Sequence, residues 1–131
     1  MYEKTTNDFT VTVEVTYLEE QSEPTDQHFV WAYMIYVFNN SEHQVQLLRR
    51  QWYITDAHGI KQSVEGAGVV GEQPILKPKQ GFQYTSGTVL HTASGIMEGF
   101  YTMQNKKTKE TFTIDVPLFS LDSPHQAMRP N

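Results

Sequence analysis

A chain of 131 residues is long enough to bury one hydrophobic core, and the absence of cysteine removes disulfide, thiolate and zinc–thiolate chemistry from consideration. The formal net charge of −5 counts against nucleic-acid binding, which needs a basic face to displace counterions from phosphates. Met1 to Asp8 carries no apolar run and no stretch approaches a membrane span, so the expected setting is cytoplasmic, with no membrane partner.

Phe9 to Tyr17 is apolar at odd positions and polar at even ones, which predicts a strand with one buried face. Leu18 to Gln27, acidic and broken by Pro24, reads as an exposed loop. His28 to Phe38 is apolar on both faces and predicts a central strand turning at Asn39-Asn40-Ser41. Val45 to Thr55 is a further strand, closed by the turn Asp56-Ala57-His58-Gly59 and expected to lie beside the one before it. From Ile60 to Gly71 the pattern weakens into a glycine-bearing strand or extended loop, and Pro74, Pro78 and Gly81 punctuate a connection. Gly81 to Gly87 and Gly95 to Met103 predict two more strands, the second with Met97, Gly99, Tyr101 and Met103 on one face. Thr111 to Val116 alternates again with Phe112, Ile114 and Val116 inward, until Pro117 ends the pattern. Ser120 to Asn131 reads as a loosely attached tail.

No segment shows apolar residues at helical spacing. About seven strands at this spacing predict an all-β fold, an antiparallel sandwich of immunoglobulin or fibronectin type III style, with a closed barrel as the alternative. One domain is expected over 1–124, with a flexible tail at 125–131.

Gly66-Ala67-Gly68-Val69-Val70-Gly71 matches G-x-G-x-x-G, but no helix can follow through Gln73-Pro74, so a dinucleotide-binding fold is not implied. Glycines in such a segment ordinarily permit a bend or close packing. The alternative is a small-ligand site in which Gly66, Gly68, Gly71 and Glu72 take a divalent cation or a phosphate compound. The histidines at 28, 43, 58, 91 and 125 offer no paired metal-ligand spacing. Acidic residues of Leu18–Asp26 with Asp56 or Glu65 are candidate oxygen ligands for magnesium, though acidic loops are ordinarily just solvated. Ser86 and His91 are the one nucleophile–base pair to weigh; without a nucleophile elbow or an orienting acid they predict no catalysis. Neither an enzymatic activity nor a cofactor is expected. Trp31, Tyr33, Tyr36, Trp52, Tyr53, Tyr84 and Tyr101 mostly belong to the core, with a minority left for an outward protein-binding patch.

Tyr17 to Ser22, Val30-Trp31-Ala32-Tyr33, Val45 to Trp52, Gly66 to Pro74 and Tyr84-Thr85-Ser86-Gly87, at this spacing, resemble the bacterial ApaG family, also called CorD. The resemblance runs from about Phe9 to Pro124. It implies a fibronectin type III-like fold and a connection with cobalt resistance and magnesium efflux. Related domains in eukaryotic F-box proteins and a DNA polymerase delta-interacting protein imply an interaction module. Two positions depart from the family pattern: Gln51 stands where histidine usually precedes the tryptophan, and Lys79-Gln80 replaces a commoner turn ahead of Gly81. The expectation is a non-catalytic domain that binds a protein partner through a sheet face, a strand edge or a loop.

Overall fold

The computed structural model describes residues 1–125. Nine strands follow in chain order: β1 (Tyr2–Thr6), β2 (Phe9–Tyr17), β3 (Phe29–Asn39), β4 (Val45–Asp56), β5 (Lys61–Ala67), β6 (Ile75–Leu76), β7 (Gly81–Leu90), β8 (Gly95–Asn105) and β9 (Thr111–Leu121). One antiparallel sheet has the order β1-β2-β3-β7 and the other β5-β4-β8-β9, with β6 paired to β4. The two sheets pack face to face around one core, as the alternating patterns demand. Among the described residues no helix is long and apolar enough to cross a membrane.

The core is aromatic and aliphatic from both inner faces: Trp31, Ile35 and Val11 from one sheet, Tyr101, Leu47 and Phe119 from the other. Trp52 packs edge-on against Tyr33, Tyr101 and Phe119, with ring centroids 5.6, 6.2 and 6.1 Å away. Tyr36 is exposed on the outer face and Tyr53 is only partly buried, so the expected division of the aromatics between core and surface is present.

Four expectations are corrected. The strands β3 and β4 do not pair; they lie in opposite sheets, and the Asn39-Asn40-Ser41 link crosses between them. Asn39, fully buried, holds that crossing: its Nδ2 donates to the His43 and Leu76 carbonyls at 2.8 and 3.0 Å, and its Oδ1 accepts from the Ser41 amide at 2.8 Å. Pro117 does not end the last strand. The register of β8 and β9 shifts between Met97 and Gly99, leaving Pro117 and Leu118 outside the ladder, and pairing resumes at Phe119. The chain is therefore anchored to Ser123, not loose from Ser120. Trp31 Nε1 donates to the Asp122 carbonyl at 2.8 Å, and Ser123 Oγ donates to the Ala93 carbonyl at 2.6 Å. Finally, β1 and β6 raise the strand count from seven to nine, because Tyr2–Thr6 is polar and Ile75–Leu76 too short for either to show a period. Of the tail expected at 125–131, all but His125 lies outside the described residues.

Candidate functional site: the open seam between two strands

A two-sheet sandwich has two lateral seams, and here they differ. At the first, β1 closes against β9. The Asp115 amide donates to Thr6 Oγ1 at 3.2 Å, the Ser120 amide donates to Tyr2 Oη at 3.2 Å, and Lys4 pairs with Asp115 at 3.0 Å. At the second seam, β5 and β7 face each other with no hydrogen bond between them among the described residues.

A groove of about 350 Å³ opens there, floored by Trp52, Ile54 and Met97 and flanked by Val64 on β5 and by Ser86 to Val89 on β7. It shares Ile54, Gln62 and Val89 with a second hollow of about 390 Å³ that reaches Asp56, Ile60 and His91. Together they run along the inner face of β4 from Arg50 to Asp56, about 20 Å at the usual rise of an extended strand.

Arg50 enters this groove because of a bulge. Along β4 the buried positions are first Val45 and Leu47, then Trp52 and Ile54, so the inward phase changes from odd to even. The register with β8 shows the cause: Leu47 faces Met103 and Arg49 faces Thr102, leaving Leu48 as the extra residue. From Arg50 onward, even-numbered side chains point between the sheets. Arg49 is exposed on the outer face, while Arg50 is partly buried.

The glycine segment is fitted to this bulge. The Leu48 carbonyl accepts from the Gly68 amide at 2.7 Å and from Gln73 Nε2 at 2.9 Å. Gly66 faces Arg50 across the ladder, and a Cβ on it would lie 2.9 Å from both terminal nitrogens of the guanidinium. The bare glycine lets Arg50 lie against the backbone, where Nη1 donates to the Ala67 and Gly68 carbonyls at 3.2 and 3.0 Å. Val69 and Glu72 exchange both backbone hydrogen bonds, at 2.8 and 2.9 Å, around a tip formed by Val70 and Gly71. Both tip residues have positive φ, 41° and 81°, as a mirror-image hairpin turn requires. Of the expected ligand-binding residues, Gly66 thus backs the arginine, Gly68 and Glu72 have their amides committed to backbone acceptors, and Gly71 forms the tip.

Behind the groove sits a phenol cluster. Tyr84 and Tyr101 hydrogen-bond to each other through their hydroxyls. Burial raises the Tyr101 pKa well above its ordinary value, reinforced by Tyr84, and burial likewise raises Tyr84 against the opposing bond from Tyr101. Tyr33 is raised by burial too, opposed by a hydrogen bond with Ser86 and by the positive charge of Arg50.

The other candidates are dispersed. Ser86 lines the groove beside Arg50, whereas His91 borders the neighbouring hollow with Nδ1 3.2 Å from the Gln27 carbonyl oxygen. Among the described residues no three His, Asp or Glu side chains gather as a metal site. Asp56 already accepts the His58 and Ile60 amides at 2.8 and 3.0 Å. Gln51 lies with its amide on Ser63 Oγ at 2.8 Å, on the side of β4 opposite Arg50 and Trp52. Lys79 takes a left-handed φ of 67° in the turn before Gly81.

Sequence reasoning did not single out Arg50, Val64 or Val89. The odd-to-even switch between Leu47 and Trp52 was the available signal for Arg50, since only a bulge reconciles the two halves of one strand.

Comparison with known proteins places this architecture. The model of the ApaG domain matches residues 19–105. Protein ApaG of Paramagnetospirillum magneticum is 54% identical over 131 residues, covering 100% of both chains. Protein ApaG of Rhodospirillum centenum is 50% identical over the same span, again 100% of both. The crystal structure of the ApaA protein from Bordetella pertussis superposes with a TM-score of 0.86 at 39% identity, covering 91% of this chain and 96% of that one.

Proposed function

The chain belongs to the ApaG domain family, and we propose that it works as a non-catalytic protein-interaction module of the bacterial cytoplasm whose contact surface is the β5–β7 seam. The observation that carries this reading is the apolar mouth of the seam. Ile60, Val64 and Val89 are 66%, 41% and 43% exposed, around a floor that includes buried Trp52 and Met97. Scattered exposed aliphatics are ordinary, but several gathered over one apolar floor gain hydrophobic free energy when a partner covers them. On this reading, any connection with cobalt or magnesium homeostasis runs through the partner.

The test is site-directed photo-crosslinking in cells, with benzoylphenylalanine in place of Val64 or Val89 and, as the control, in place of exposed Thr108 on the β8–β9 turn. Discrete protein adducts from the two seam positions alone are the expected result. Equal adducts from Thr108, or none from any position, would overturn the reading.

A second reading places a small ligand, a divalent cation or a phosphate compound, at Gly66–Gly71 with Glu72. It is favoured by Val70, a β-branched residue that is 55% exposed and held at left-handed φ, where strain often accompanies function. Amide titration by NMR with magnesium, cobalt and a nucleoside triphosphate separates the two: saturable shifts confined to this segment support the ligand, and a flat response to all three removes it.

A further inference from the structure

Resting on the interaction reading above, we infer that the seam receives an extended segment of a partner protein as an added strand on β7, with an acidic side chain of that segment paired to Arg50. The first ground is the composition of the edges. An edge strand presents unpaired amides and carbonyls, and proteins ordinarily blunt it with charge or proline. Here β1 carries Glu3 and Lys4, β5 carries Lys61 and Glu65, and β9 carries Asp115 and Pro117. The ten residues of β7, Gly-Phe-Gln-Tyr-Thr-Ser-Gly-Thr-Val-Leu, include neither. The β9 edge is also met by side chains of β1, as described, whereas β7 borders the groove and its neighbouring hollow from Ser86 to Leu90. An uncharged edge that lies open from Ser86 to Leu90 is a template for strand addition.

The second ground is charge. Arg50 is the one charged side chain lining the groove floored by Trp52, and the two ion pairs among the described residues, Lys4–Asp115 and Glu19–His125, lie elsewhere. Its Nη1 is committed to two carbonyls, while Nη2 has no protein acceptor among the described residues. A carboxylate entering beside it gains a charge-assisted hydrogen bond, with the Ser86 hydroxyl in the same groove. Side chains alternate along an added strand, so one that sends its acid toward Arg50 sends aliphatic residues two positions on toward Trp52 and Met97. The net charge of −5 gives no long-range attraction for an acidic segment, so selectivity rests on this short-range pair.

The experiment selects short random peptides, displayed on phage, against the folded full chain, and then measures the winners as synthetic peptides. Enriched sequences should alternate aliphatic residues with one aspartate or glutamate. Replacing that acid by its amide, or Arg50→Gln in the protein, should weaken binding about tenfold, the scale of one lost charge-assisted hydrogen bond. Methylating alternate backbone amides of the peptide should abolish binding, and hydrogen exchange should slow along β7. The methylated peptide leaves the protein untouched, so the test holds even if the Arg50 variant folds poorly. Winners without an acid, protection at another edge, indifference to backbone methylation, or no winner at all would overturn the inference. So would concentration-dependent dimers abolished by Val89→Lys, since a second copy would then be the occupant. Seam-specific photo-crosslinks alongside a failed selection would sink this inference alone; absent crosslinks would sink the interaction reading beneath it.

Discussion

A Cβ placed on Gly68 would lie 2.1 Å from the Glu72 carbonyl oxygen, and the residue has φ of +64°. Two independent costs therefore meet there, a steric collision with backbone and a left-handed conformation unfavourable to L residues. Gly59 has φ of +80° but open space around it. Gly59→Ala should cost only the conformational part, about 1 kcal/mol, while Gly68→Ala should cost several-fold more. Urea denaturation of both variants checks the ratio; equal losses would show that the 66–72 turn relaxes freely. Gly66→Ala presents a third case. Its obstacle is the tip of a flexible arginine, so Arg50 moves aside and gives up its bonds to Ala67 and Gly68. That variant should cost stability modestly and change the groove more than the fold.

At the scale of elements, one inserted residue of β4 anchors the glycine segment. Deleting Leu48 would leave Leu47 opposite Met103 and Arg49 opposite Thr102 with an unbroken period of two, so Trp52 and Ile54 stay inward and the variant should fold. The carbonyl that anchors Gly68 and Gln73 is lost, however, whereas Leu48→Ala keeps both bulge and carbonyl. Circular dichroism and a thermal melt of the two distinguish loss of the anchor from loss of the side chain; an unfolded deletion variant would mean that β4 cannot pair without its bulge. Asn39 decides the crossing between sheets in the same manner. Asn39→Ala strands the His43 and Leu76 carbonyls and the Ser41 amide, and should cost about 2–4 kcal/mol in a urea titration. These two features mark the limit of what was legible in the residues. The strands with steady alternation, β2 and the first half of β9, were readable because burial of one face imposes period two directly. Pairing was not, since two apolar runs joined by Asn-Asn-Ser look alike whether they form a hairpin or cross to the opposite sheet. The glycine motif was readable as a bend, but its fitting to Arg50 depends on a residue sixteen positions away that only the β4–β5 register brings opposite Gly66. The seam itself is a property of topology, and an edge strand cannot be told from a central one until its neighbours are known.

For the molecule as a whole, three buried phenols couple the packing of the two sheets to pH. Tyr33, Tyr84 and Tyr101 all have pKa values raised above the ordinary 10.0, chiefly by burial. In the unfolded chain each returns to that ordinary value. Above pH 10 the unfolded state therefore releases protons that the folded state retains, so it binds fewer, and stability falls as pH rises, by up to about 1.4 kcal/mol per pH unit for each phenol. Below pH 10 both states keep the proton and these groups contribute no pH dependence. Urea midpoints measured on either side of pH 10 should show this break. The double variant Tyr84→Phe with Tyr101→Phe should make the alkaline slope shallower. Tyr84→Phe alone should cost about 1–3 kcal/mol at neutral pH, because it leaves the Tyr101 hydroxyl buried without its partner, while the double variant removes both polar atoms and should recover most of that loss. An alkaline slope unchanged in the double variant would place the titrating groups elsewhere. A double variant no more stable than the single one would mean that the hydroxyl pair contributes net stability to the interior beside the seam, and that the open side of the sandwich is held by polar contact as much as by apolar packing.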